Sequence, residues 1–160
     1  MIRIIETTAM LGSRMPLAMK NKKDDQAMYA KVSISAVRLT PEQIDQLLPT
    51  RVDERRVSEL LFSARGADSE FRHFKVMQLG HQIHGAKVDI RLPVVDEAVE
   101  ILDATLSAIK IRAGLAGECH LDFSAEWRPR KREHDTLMAW LGSECYVALR
   151  VEQYGDQLEV

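Results

Sequence analysis

The alternation between Cys119 and Trp127 constrains this chain more than any other feature. Cys119, Leu121, Phe123, Ala125 and Trp127 interleave with His120, Asp122, Ser124 and Glu126. Side chains of a strand point to opposite faces at each step, so this pattern is a strand with one apolar and one polar face. Arg128-Pro129 follows, and then Arg130 to Leu141 carries Leu137, Met138 and Leu141 at helical spacing. Gly142 is the stop signal, because glycine adopts the left-handed conformation of a helix end without a Cβ clash. Cys145, Val147, Leu149 and Val151 then alternate with Glu144, Tyr146, Ala148 and Arg150, a second half-buried strand.

The same rules apply to the rest of the chain. Ile2 to Met10 has the character of a short strand. Residues 12–26 hold Pro16, three lysines (Lys20, Lys22, Lys23) and two aspartates (Asp24, Asp25), and read as a loop or mobile hairpin tip. Met28 to Leu39 is a strand, with Ala30, Val32, Ile34 and Ala36 on one face and Lys31, Ser33 and Ser35 on the other. It runs into Thr40-Pro41-Glu42-Gln43, where Thr40 is an N-cap, Pro41 takes the first helical position and Gln43 completes a capping box. That helix ends at Leu48, before Pro49. Val57, Leu60 and Leu61 suggest a helical turn or two, and 64–68 reads as a loop. Glu70 to Leu79 and Ala86 to Leu92 alternate and are expected to form a hairpin through Gly80 to Gly85. Asp96 then caps an expected helix to Leu106, with Val99, Leu102 and Leu106 on one face, before a short strand from Ser107 to Arg112. Residues 154–160 read as a frayed tail.

Strands with one polar face belong to sheets covered on one side only, since doubly covered parallel strands read as continuous apolar runs. The expectation is therefore one domain over residues 1–160 of class α+β. It is a mainly antiparallel or mixed sheet with two or three helices packed on one face.

Charge and motifs exclude several functions. The net charge of −2 lacks the basic excess of a dedicated duplex-DNA binder. No glycine-rich phosphate loop and no nucleophile elbow is present. The two cysteines, Cys119 and Cys145, fall on apolar faces and are expected as buried, reduced thiols. His81 and His84 lie three apart, with only His73, Cys119 and His120 in reserve as further zinc ligands, so polar turn histidines are expected there rather than a metal site. No cofactor is expected. The N-terminus has no apolar signal core and no stretch reaches the ~20 apolar residues of a membrane span. A cytoplasmic protein without a membrane partner is expected.

Two constellations carry possible chemistry. His120, Asp122 and Glu126 share one strand face, as a small enzyme's acid–base groups would, but a solvated sheet face has the same pattern. Trp127-Arg128-Pro129-Arg130-Lys131-Arg132 places four cations beside an indole at a strand-to-helix turn. Cations in a first helical turn oppose the helix dipole, a mild cost that points either to a partner or to a simply solvated cluster. Arg128, Arg130, Lys131 and Arg132 are thus the main candidates for binding nucleic acid or an acidic protein surface, with Arg72 and Lys75 beside His73 as a second group.

The succession of Ala30-Lys31-Val32-Ser33-Ile34 to Leu48, Phe74 to Leu92 and Asp96 to Ile111 resembles small phage-encoded proteins of unassigned function. The resemblance implies a phage or prophage setting and a bacterial host cytoplasm, where such proteins act by binding. It carries no residue roles. The first expectation is a non-catalytic protein that occupies a protein partner, such as a host defence complex, in the manner of an anti-CRISPR inhibitor. The alternatives are a single-stranded nucleic-acid binder using the basic turn and an enzyme using His120, Asp122 and Glu126. A homo-dimer is compatible with all three, because an exposed sheet edge pairs readily.

Overall fold

A computed structural model describes residues 2–22, 25–47, 51–52, 54–56, 76–113 and 118–152. The elements are β1 (Ile2–Leu11), β2 (Leu17–Lys22), β3 (Asp25–Leu39), α1 (Pro41–Leu47), β4 (Arg51–Val52), β5 (Arg55–Arg56), β6 (Val76–Gln78), β7 (Ile83–Arg91), β8 (Val99–Ala113), β9 (Cys119–Trp127), α2 (Lys131–Trp140) and β10 (Glu144–Val151). The expected α+β layer is not what forms. The strands run β1-β10-β7-β8-β9-β3, every pair antiparallel, and β1 returns to β3 through Met10↔Ser35 and Leu11↔Ile34. The sheet therefore closes into a six-stranded barrel. β2 extends the wall beside β3, β6 extends it beside β8, and β4–β5 is a separate small hairpin.

The apolar halves of all six strands point inward. Ile4, Ile34, Ile90, Ile101, Leu121, Phe123, Val147 and Leu149 are among the core residues, and each is essentially inaccessible to solvent. A barrel of about eight strands is just wide enough for side chains to fill it, so six leave no lumen for a ligand. The outward rows of lysine, arginine, aspartate and serine are the reverse of the apolar belt that faces lipid in a membrane barrel. No helix of the described residues is long and apolar enough to cross a membrane.

Helices do not roof one face of a sheet; they close the two ends of the barrel. β9 and β10 stand opposite each other in the six-strand ring, so α2, which joins them, must cross the mouth. Its Leu137 and Trp140 enter the core. α1 leaves β3 at the other end and buries Ile44 and Leu47. Its start is the expected capping box: the Thr40 N–H donates to Gln43 Oε1 at 2.8 Å and the Gln43 N–H to Thr40 Oγ at 3.3 Å. Gly142 closes α2 with φ +80°, as the sequence anticipated. Gly12 sits at the seam, where its N–H donates to the Ser33 carbonyl at 2.7 Å, and a Cβ there would lie 3.0 Å from that oxygen.

The expected helix from Asp96 to Leu106 is instead the first half of β8, continuous with the expected strand from Ser107. The cause is a set of β-bulges. On β8, Ile101 to Ala104 and Ser107 to Lys110 each cover three residues where the partner strand covers two. The extra residues bracket Asp103 and Ala108, at φ +52° and +50°. The same holds on β3 between Ile34 and Val37, with Ala36 at φ +59°, and on β7 between Ile83 and Ala86, with Gly85 at φ +71°. Each bulge moves the inward face on by one residue and bends the strand, and a narrow barrel needs that bend to close. Val37, not Ala36, therefore continues the inward row of β3.

Two further expectations change. β6 pairs with β8 and not with β7, so Val76–Gln78 and Ile83–Arg91 do not form a hairpin. The stretch 12–26 contains β2 and the start of β3, a hairpin with Met19 opposite Met28. The expected turns at Val57 to Leu61, the loop at 64–68 and the tail at 154–160 lie outside the described residues.

Candidate nucleic-acid interface

With the interior filled, the outer wall is what remains for function. Its chemistry follows from strand register. Along β3, β9 and β8 the outward residues align in cross-strand rows: Lys31–Glu126–Thr105, then Ser33–Ser124–Ser107, then Asp122–Lys110, then Arg38–His120–Arg112. From the first row to the last is six residues of β9, or about 20 Å at ~3.3 Å per residue. Lys20 of β2 joins the first row by gripping both oxygens of Glu126 at 2.6 and 2.7 Å. Tyr29 stands two residues before Lys31 on the same face.

These four rows, with Lys20, hold five cations, Lys20, Lys31, Arg38, Lys110 and Arg112, against two carboxylates, Asp122 and Glu126, while the exposed Asp103 and Glu100 lie further along β8. Asp122 and Glu126 are both already used. Asp122 takes Arg112 Nε at 2.6 Å and a second guanidinium nitrogen at 3.0 Å, and its Oδ1 also accepts the Ala36 N–H at 2.9 Å. The hydrogen bond from the Arg112 guanidinium to Asp122 is the chief cause that raises the Arg112 pKa above its ordinary value. Lys31, Arg38 and Lys110 are exposed and form no ion pair among the described residues. Between the charged rows, the exposed Ser33 Oγ lies 3.3 Å from the Oγ of the buried Ser124, and an exposed hydroxyl can donate to a phosphate oxygen.

The opposite wall, β1–β10–β7, is balanced by contrast. Arg91 pairs with Glu6 and lies 4.9 Å from the Tyr146 ring centre. Lys87 sits between Asp89 and Glu100, and Arg150 pairs with Glu152. Burial pushes the Asp89 carboxyl above its usual range against the pull of Lys87, and its Oδ1 lacks a hydrogen-bond partner.

The sequence candidates separate accordingly. His120, Asp122 and Glu126 do share one face, but Asp122 caps a bulge and Glu126 holds β2, which accounts for both carboxylates structurally. Arg128 and Arg130 lie between β9 and α2, and Lys131 and Arg132 open α2, at one end of the cationic face. Arg132 pairs with Glu97, and the Arg130 N–H donates to Glu133 Oε1 at 2.8 Å to start α2. Arg72 and Lys75 lie outside the described residues. Cys119 and Cys145 are buried and not joined by a disulfide, and they sit on opposite strands of the ring. His84 Nδ1 lies 3.2 Å from Thr105 Oγ, and no metal-binding cluster occurs among the described residues. Lys31, Arg38 and Lys110 were not singled out in the sequence. Each belongs to a polar half-strand, but only the pairing of β3, β9 and β8 brings them together.

Comparison with protein-family models, curated proteins and solved structures finds no match for this chain.

Proposed function

We propose that this protein is a non-catalytic binding module that lays single-stranded nucleic acid along the outer face of β3, β9 and β8. The observation that carries this reading is the cationic excess of that face. Arg112 is held by Asp122, but Lys31, Arg38 and Lys110 are exposed and form no ion pair among the described residues. Like charges held close on one sheet face repel one another. A polyanion relieves that repulsion and releases its own counterions. A face of about 20 Å by three strands suits a short run of nucleotides, and Tyr29 and the Ser33 hydroxyl add a stacking and a donor group. Among the described residues the barrel interior is filled by the apolar side chains of its six strands.

The experiment is fluorescence anisotropy with a labelled single-stranded oligonucleotide over a range of salt. Binding that is present at low ionic strength and falls steeply as salt rises supports the reading. Absence of binding at low ionic strength would end it.

A second reading, a protein partner such as a host defence complex, is favoured by a different place. On the β2–β3 hairpin Leu17, Met19 and Met28 share the side of the ribbon that continues the barrel interior, yet they are 44%, 61% and 42% exposed. Methionines adapt to irregular protein surfaces. Capture of a single protein after nuclease treatment, lost in Met19→Asp, would support this reading over the first.

A further inference from the structure

The cationic face does not stop at the Lys31–Glu126–Thr105 row. One residue further along β9, where the strand turns towards α2, there is a groove of about 420 Å³ against the start of β8. Its lining includes Glu97, Leu102, Trp127, Arg128, Arg130 and Arg132. Three properties of this groove belong together.

The first is an orphaned donor. Trp127 is 1% exposed, and its indole N–H is buried without a hydrogen-bond acceptor among the described residues. An indole nitrogen only donates, and buried donors normally find an acceptor. The second is an apolar lining: Leu102, in the same groove, is 53% exposed. The third is charge. The groove's carboxylates are engaged, Glu97 by Arg132, Glu133 by the Arg130 N–H and Glu100 by Lys87. The Arg130 guanidinium forms no ion pair among the described residues. The rim carries the exposed arginines Arg128, Arg130 and Arg132, of which Arg130 has a long side chain that can swing aside without breaking an ion pair among the described residues.

A planar, partly apolar group carrying a carbonyl acceptor, with a phosphate next to it, matches all three. We propose that the groove receives one nucleobase of the bound strand, with the Trp127 indole N–H donating to a base carbonyl oxygen and Arg130 facing the adjacent phosphate. The proposal rests on the reading of the β3–β9–β8 face as a nucleic-acid surface. It adds a selectivity which that face lacks. Thymine, uracil, guanine and cytosine carry a carbonyl oxygen, and adenine does not. Adenine offers only its ring nitrogens N1, N3 and N7 as acceptors, so a pocket that sets the indole N–H against a carbonyl position should bind adenine about ten-fold less tightly.

The test compares oligo(dT) and oligo(dA) of equal length in anisotropy titrations. The wild-type protein is expected to prefer oligo(dT). Trp127→Phe keeps an aromatic ring but removes the donor, and is expected to bring oligo(dT) affinity down towards that for oligo(dA), erasing the protein-dependent part of the preference. Self-stacking of oligo(dA) is common to both proteins and cancels in the comparison. Leu102→Glu, at an exposed position, serves if Trp127→Phe does not fold, and is expected to lower oligo(dT) affinity more than oligo(dA) affinity. Equal binding of both strands by the wild type, or a preference unchanged in either variant, overturns the base pocket and leaves the cationic face standing. Failure of both strands to bind the wild type overturns both proposals.

Discussion

Asp122 Oδ1 accepts the backbone N–H of Ala36 at 2.9 Å across the β3–β9 pair, at the residue where β3 departs from regular extended geometry. A bulge leaves a backbone group without its strand partner. Asp122 supplies that partner, and Arg112 holds the carboxylate in place from β8. One side chain on the central strand thereby ties down both neighbours at the level where each is bulged.

Removing that carboxylate should cost stability rather than activity. Asp122→Ala leaves the Ala36 N–H without its acceptor and Arg112 without its partner, a loss of about 2–3 kcal/mol for a charged hydrogen-bonding group. His120→Ala, two residues along the same face, should change stability by less than about 0.5 kcal/mol. Urea unfolding midpoints decide the matter. Equal losses in the two variants would show that Asp122 has no special role at the bulge.

The left-handed residues at the bulges give an opposite prediction. Ala108 is exposed and sits at φ +50°, a conformation that costs a residue with a Cβ about 1–2 kcal/mol. Glycine removes that cost but adds some unfolded-state entropy, so Ala108→Gly should raise stability by about 0.5 kcal/mol. Ala125→Gly, in the regular part of β9, should lower it by about 1 kcal/mol. Thermal unfolding of the two variants is the measurement, and a destabilised Ala108→Gly would contradict the bulge.

Those same bulges explain what the sequence shows and what it conceals. β9 and β10 have no interior bulge on their own chain, and Cys119 to Trp127 and Cys145 to Val151 are legible residue by residue. β8 is bulged at two places, so its inward row runs Val99, Ile101, Ala104, Leu106, Ile109, Ile111. The mean step is near two and a half, between the strand period of two and the helical 3.6, and Val99, Leu102 and Leu106 imitate a helix face. Closure itself rests on a two-residue contact between Met10–Leu11 and Ser35–Ile34, which no local pattern announces. The binding face was half visible. The basic turn at Arg128 to Arg132 is contiguous and stands out, whereas Lys31, Arg38 and Lys110 come from two strands brought together by β9.

Burial gives a pH prediction. Desolvation first, and the neighbouring Glu144 second, raise the Cys145 thiol to about 11. The folded state then keeps the proton over a range where the unfolded chain loses it, between the ordinary value of 9.0 and about 11. The unfolded state binds fewer protons there, so stability is full below pH 9 and falls as pH rises towards 11. The loss approaches ~2–3 kcal/mol at about 1.4 kcal/mol per unit. Cys145→Ala should start from a lower stability but lack this decline. Stability curves for the two proteins from pH 8 to 11 that run parallel would show that Cys145 is not the group concerned.

The most direct test of the binding face is the salt dependence of single-strand affinity in two charge-neutralised proteins. Each lost phosphate contact reduces the slope of log affinity against log salt by about 0.7 for single strands. Lys31→Gln, Arg38→Gln and Lys110→Gln combined should therefore flatten the slope by about 2 and weaken binding at every salt concentration. Neutralising Arg128, Arg130, Lys131 and Arg132 should have the smaller effect on the slope, because Arg132 is already paired with Glu97 and the turn lies at one end of the face. A slope unchanged by the first set and collapsed by the second would move the binding site from the barrel wall to the basic turn.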